Sequence, residues 1–523
     1  MAQQLQTITL GAPGFKGLNT EDSSVNMDPA FASVANNCIL DKFGRLGARK
    51  GFATLTTDRS ELSDGAGGFN PIVSLHQFVD EAGNTAFFGT GNSKILKATT
   101  VTTTNDTLVD VTPGAYTVNA DDWKLIHFND KMYFFQRGHQ PLMYSNALGA
   151  VVTIDSESTD SSTCKQAHAA LAAYGRLWLA DVTGDKATVY WSDLYIGENW
   201  DTGSSGSIDI TSVWPNGYDE ITAIAAHNDA LIIFGEENTV IYSGASSPST
   251  MVLQDTIAGV GCVSRDSVEP TGGDLLFLSS TGLRSLGRTI QENARPMTDV
   301  SNNVRRDIIT DLIAERAAIV ANTGNIVACY SPEEAFYLVS FQSLAKTYCF
   351  DMRGTLEDGS FRVTLWPSTP FTSCVRAKDG TLYLGSAVGL GTYAGYQDNG
   401  ESYRYQFYSP VLTFGDNARQ KILKKVRPII VGGSGQDAVL YWGYGYSGTF
   451  SAQPFALDTG GGSEFGVGEF GIAEFSGGIT ITDKGINATG SGPDVTIGLE
   501  TNVDGSAFSL QEITVQTLIG RII

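Results

Sequence analysis

Seven times along this chain a polar or glycine turn leads into four or five apolar residues, a second short turn and another strand-like run. The copies are "NTAFFGTGNSKILKA", "DKMYFFQRGHQPLMYS", "GRLWLADVTGDKATVYWS", "DALIIFGEENTVIYSG", "GDLLFLSSTGLRSLG", "EAFYLVSFQSLAKTYCF" and "GTLYLGSAVGLGTYAG". Their first apolar residues are Ala86, Met132, Leu177, Leu231, Leu275, Phe336 and Leu382, at intervals of 46, 45, 54, 44, 61 and 46 residues. A period near 45 with several strands per unit is the spacing of β-propeller blades. One blade cannot bury both its faces, whereas a ring of stacked blades buries them and leaves few open edges. Runs such as Leu231, Ile232, Ile233 and Phe234 are apolar on both faces, as a strand covered on each side requires. Paired β-sandwiches also space strands evenly, but the closeness of the repeat favours the ring. The expected fold is all-β: a β-propeller of six or seven blades with a flanking, mostly-β attachment domain built from the N- and C-terminal segments.

Length and composition agree. A chain of 523 residues exceeds one compact core. Glycine makes up 59 of them, about 11% against a usual ~7%, which suits short strands and tight turns. The expected division is an attachment segment at 1–60, a propeller at 61–395 and a C-terminal β domain at 396–523. The 61-residue interval contains "SNNVRRDIITDLIAERAAI", whose Val304, Ile308, Ile309, Leu312 and Ile313 share a helical face over 301–316, with Ser301 as cap. Packing on its own domain is the expected role, with a neighbouring subunit the alternative. "MDPAFASVANNCIL" reads as a second short helix capped by Asp28.

Acids outnumber bases 56 to 34, a formal charge of -22. Such a surface repels nucleic-acid phosphate and argues against a sequence reader, while suiting a wall past which DNA slides. "MAQQLQTITL" has neither charged leader nor apolar region, so no secretory signal is expected. No window approaches the ~20 apolar residues of a membrane span. Cys38, Cys164, Cys262, Cys329, Cys349 and Cys374 form no CxxC pair and read as buried free thiols, with no zinc site.

No Walker loop, GxGxxG, GxSxG or HExxH occurs. The doublets Asp121-Asp122, Glu236-Glu237 and Glu333-Glu334 would suit glycosidic cleavage only if they met in a cleft, and each falls at a strand edge or turn. His127 and His227 occupy equivalent places in the repeat, and Asp181 and Asp185 lack the ligand ladder of a calcium loop. No enzyme and no cofactor are expected.

Basic residues gather in two places. "DKFGRLGARKGF" carries Lys42, Arg45, Arg49 and Lys50 among three glycines. "ARQKILKKVR" carries Arg419, Lys421, Lys424 and Lys425, followed by a tail in which "SEFGVGEFGIAEFSGG" repeats Phe465, Phe470 and Phe475 every five residues. That spacing fits neither helix nor strand and reads as a loop whose rings pin it to another surface. All eleven residues are candidates for an intersubunit or adaptor interface.

Two motifs carry a family likeness. "MDPAFASVANNCILDKFGRLGARKGF" supplies Asn37, Leu40, Asp41, Gly44, Leu46, Arg49 and Gly51 to an N-x-x-L-D-x-x-G-x-L-x-x-R-x-G turn. "GVGCVSRDSVEPTGGDLLFLSSTGLRSL" supplies Gly261, Cys262, Ser267, Gly273, Asp274, Leu276, Phe277, Leu278, Gly282 and Leu283. Both resemble the tail nozzle proteins (tail tubular protein B, or packaged-DNA stabilisation protein) of short-tailed, podovirus-type bacteriophages. The likeness extends to 403–432 but not to the 433–523 tail. It implies a virion protein made in the host cytoplasm, a homohexameric ring below the portal and adaptor, tail fibres or spikes attached nearby, and genomic double-stranded DNA passing through without sequence-specific binding. It implies no membrane insertion. A carbohydrate-binding or polysaccharide-degrading virion propeller is the alternative, and a cellular scaffold a weaker one.

Overall fold

The computed structural model describes residues 5–98, 106–119, 122–160, 163–215, 217–292, 300–321, 323–368, 371–445, 448–458 and 480–522. Every one of the seven anchor residues lies in the second strand of a small antiparallel sheet. Six of these sheets are four-stranded blades of a β-propeller. The first four are consecutive: Ser74–Val79 to Asp106–Asp110, Lys124–Phe128 to Val151–Thr153, Ala167–Ala173 to Gly206–Asp209, and Ile221–His227 to Val252–Ala258. The fifth runs from Ile326–Ser331 to Phe361–Trp366, and the sixth from Ser373–Arg376 to Gly389–Tyr393.

Between the fourth and fifth blades the ring holds a shorter, three-stranded sheet, Glu269–Pro270, Leu275–Ser279 and Gly282–Ser285. Its strand alternation seals both neighbours. Leu275 and Phe277 pack on the fourth blade, Leu276 and Leu278 on the fifth.

The sixth blade borrows its outermost strand from the other end of the chain: Phe52–Thr54 pairs with Gly389–Tyr393. The next strand, Thr56–Asp58, runs beside the outer strand of the first blade. Residues 52–58 therefore stitch the first blade to the last, so the 1–60 segment belongs partly to the propeller. Gly51 permits this join by close approach: a Cβ there would lie 1.8 Å from the Gln397 carbonyl oxygen.

The rest of the N-terminal segment is woven into the C-terminal β domain. Val34–Asn36 bridges the fifth blade to Tyr403–Tyr408, making one nine-stranded sheet. Leu5–Leu10 and Leu46–Ala48 flank the long strand Phe508–Ile522. Leu423, Val426 and Ile430 from the second sheet share one core with Leu440, Ile497 and Leu499 from the first. The helix expected at 27–40 is absent. Phe31–Ala32, Val34–Asn36 and Cys38–Leu40 are strands instead, and Asp28 caps only a turn by accepting the Ala30 N–H at 2.9 Å. Val34–Asn36 takes distant partners at Leu365 and Tyr403–Tyr408, while Phe31–Ala32 pairs with Gly17–Leu18 and Cys38–Leu40 with Leu46–Ala48, and these pairings override the local helix signal.

A helix does fill the long interval, at Arg305–Val320. Val304, Ile308 and Leu312 are buried against the propeller, but Ile313 is 66% exposed. Ser301 does not cap it. Its hydroxyl accepts the Leu283 N–H, while Glu21 accepts the N–H of Arg306. Glu315, fully buried, accepts backbone N–H groups of Asn325 and Ser343, each at 2.9 Å, and ties the helix to the fifth blade. The helix packs on its own domain. All six cysteines are free, five of them buried and Cys374 half-buried. Among the described residues no helix is long and apolar enough to cross a membrane.

Candidate functional site

The innermost strands of the blades surround an axial cavity of about 460 Å³, walled by Val73–His76, Trp123–His127, Ala170–Ala172, Asp266, Glu269, Asn325, Val327–Tyr330 and Ser373–Arg376. A second opening of about 500 Å³ shares His76, His127, Val375 and Arg376 with it and adds Asp80, Glu81, Asp130 and Lys378.

Arg265 crosses the ring below the cavity. It leaves the short 3-10 turn Arg265–Ser267 and its side chain is 4% exposed. It donates to the Asp122 carboxylate at 2.5 Å, the Asp266 carboxylate at 2.9 Å and the His168 carbonyl at 2.7 Å. Lys124 donates to Asp266 at 2.7 Å, and His168 lies 3.3 Å from both Asp122 and Asp181. Lys186 and Arg137 complete the chain at Asp181. One ion-pair network thus ties the short sheet to the second and third blades.

Burial opposes ionisation of Asp122 and Asp266, yet the guanidinium of Arg265 overcomes it and holds both carboxyls below the usual range. Asp181, bonded to His168 and Lys186, is lowered to about 2 despite burial. Glu269 lies in the same wall without such support. Burial, aided by the charge of Asp266, raises it to about 7 against the opposing charge of Lys124. His76 is lowered to about 4, by burial first and then by Lys124 and His127.

A raised carboxyl beside a lowered one is the pattern of an acid and a base. Here Asp266 is held by Lys124 and Arg265, which occupies the lone pairs that a nucleophile or base needs free. Carboxylates of two acidic doublets are likewise paired: Glu333 with Arg376, which lowers it to about 2, Glu334 with Lys50, and Glu236 with Arg316. Asp121 lies outside the described residues.

The interface candidates separate by burial. Lys42 and Phe43 form an exposed tip on the turn between Cys38–Leu40 and Leu46–Ala48, with the Lys42 ammonium and Arg45 guanidinium 5.0 and 4.7 Å from the Phe43 ring. Gly44, at φ 75°, makes that turn possible. Arg45 also donates to Gln511. Arg49 is not an interface residue: it is 1% exposed and bonded to Asp398, Asn37 and the Lys50 carbonyl. Lys50 pairs with Glu334. Lys421 is also withdrawn from any surface, fully buried with its ammonium on the Asp416 and Arg419 carbonyls. Arg419 pairs with Asp416, whereas Lys424 and Lys425 are exposed and take part in no described ion pair. Alternation along the single strand Arg419–Gly432, bent by bulges, separates these neighbours. Phe465, Phe470 and Phe475 lie outside the described residues.

No family model matches this chain, and no curated protein matches it. Solved structures similar to it include the extracellular domain of a hybrid two-component system from B. thetaiotaomicron, at 11% identity and TM-score 0.42, covering 86% of this chain and 61% of that one. The Neurospora crassa Pan2 WD40 domain matches at 8% identity and TM-score 0.39, covering 66% and 95%. PorZ, a surface component of the type-IX secretion system of Porphyromonas gingivalis, matches at 12% and 0.35, covering 68% and 42%. The chain thus spans less than two thirds of the length of the first of these.

Proposed function

We propose that this chain is a non-catalytic virion protein, the nozzle of a short phage tail, which assembles as a homohexameric ring continuing the DNA channel below the portal and adaptor. The observation that carries the reading is where the two family-like segments fall. Repeating blade sequences resemble one another in many unrelated propellers, so likeness within them is uninformative. Residues 27–52 instead lie almost wholly outside the repeated blades, in the N-terminal weave, and 259–286 reach beyond their repeat copy at 273–287 to include the link from the fourth blade and the turn that carries Arg265.

In this reading DNA runs between protomers, not through a propeller. The axial cavity has the volume of a small-molecule pocket, while the major groove of a duplex alone is about 12 Å wide. The wall facing DNA would be acidic or neutral, in keeping with the net charge of -22. The ring would retain packaged DNA and let it pass on injection, with fibres or spikes attached alongside. Mass photometry and negative-stain images of the purified chain test this: a six-fold ring is expected, and a strictly monomeric particle at assembly concentrations would refute the nozzle.

The tip formed by exposed Lys42 and Phe43 over half-buried Arg45 is the natural contact for an acidic adaptor surface, where rim charges set orientation and on-rate. Reversing the exposed charge, Lys42→Glu, should lower adaptor binding by roughly tenfold without shifting the thermal midpoint. Unchanged co-sedimentation with the head-to-tail connector would exclude this tip as the contact.

A further inference from the structure

The axial cavity is furnished with acceptors that the protein leaves unused. The Glu269 carboxyl makes no hydrogen bond or ion pair among the described residues, and Lys124, whose charge acts on it, is committed to Asp266 at 2.7 Å. Nδ1 of His76 stands 2.8 Å from the Gln77 carbonyl, which fixes the proton there and leaves Nε2 an acceptor. His127 bonds the Val79 carbonyl through its backbone-facing nitrogen, and its Nε2 is buried without a partner. A cavity lined by unpaired acceptors selects a ligand rich in donors. Among the described residues no three His, Cys, Asp or Glu side chains stand close enough to share a metal ion. The acceptors are therefore suited to an extended donor and not to a point ion.

We infer that the axial cavity binds a small organic cation bearing a primary ammonium, with Glu269 as its counter-ion and the two imidazoles as further acceptors. The apolar strip of Val73, Leu75, Val327 and Val375 suits an alkyl chain. The groups acting on Glu269 are Lys124 from the second blade and Asp266 from its own segment, with Cys329 and Tyr337 of the fifth blade also within its field. Free Glu269 is largely protonated below pH 7, so binding there must displace its proton, whereas above pH 7 the carboxylate is ready.

The test is calorimetric titration of the full chain with 1,4-diaminobutane in low salt, beside its neutral isostere 1,4-butanediol. Saturable diamine binding is expected, at least about tenfold weaker in Glu269→Gln, which preserves shape while removing the charge. Independently of that variant, the diamine should raise the thermal midpoint of the unaltered protein more at pH 8 than at pH 5.5. No binding up to about 10 mM, equal affinity in Glu269→Gln, equal binding of the diol, or a larger midpoint rise at the acidic pH would each overturn the assignment. The result is independent of whether the chain forms a ring.

Discussion

Arg49→Ala will destabilise the protein by about 3 kcal/mol, read as a lowered urea midpoint by tryptophan fluorescence. The guanidinium sits at the junction of three parts of the chain. Its two nitrogens grip Asp398 after the sixth blade, Nε donates to Asn37 at 3.0 Å, and the plane lies 4.2 Å from the Tyr403 ring centre at the start of the C-terminal domain. Tyr403 in turn donates to the Arg49 carbonyl. Truncation leaves Asp398 without its cation, and because that carboxylate keeps 22% of its surface in solvent, the low end of the buried-pair range applies. Lysine at 49 keeps the charge but not the fork, so it should recover less than half of the loss. Trp366 lies beneath the guanidinium at 5.6 Å and gives a local optical reading of the same event. A loss under about 0.5 kcal/mol, the range of ordinary surface substitutions, would show that the junction is held by backbone pairing alone.

Arg49 also marks the limit of what could be read from the sequence. The blades were legible because each second strand is apolar on both faces, and Leu231 to Phe234 or Phe336 to Val339 cannot sit at a surface. The helix was legible from the spacing of Val304, Ile308 and Leu312, although Ile313 fits the same spacing and lies in solvent. Burial of a cation depends on partners, and those of Arg49 lie about 350 residues away at Asp398 and Tyr403. "DKFGRLGARKGF" therefore reads as one basic patch while the fold splits it into an exposed tip and a buried clamp. The strand Phe52–Thr54 was invisible for the same reason: its partner, Gly389–Tyr393, is the last strand of the ring. The axial cavity had a weak signal in the equivalence of His127 and His227. Only His127 lines the cavity, and nothing local distinguishes the two.

Arg265→Met will lower stability by about 3 kcal/mol at neutral pH, and the deficit will shrink on acidification. The side chain joins partners 97 and 143 residues distant, so no local element compensates for its loss. Methionine fills the volume and leaves Asp122 and Asp266 facing each other with only Lys124 and His168 to balance them. The sign of the pH dependence follows from the lowered carboxyls. A carboxyl whose folded pKa lies below its unfolded value of about 3.9 contributes stability that is complete above that value and lost as pH falls through the folded one. The unaltered protein should therefore lose this contribution between about pH 4 and pH 2, while the variant has little of it to lose. Urea midpoints of the two proteins should approach each other over that window. A constant gap from pH 7 to pH 3 would mean that Arg265 stabilises by packing and by its bond to the His168 carbonyl, not by charge.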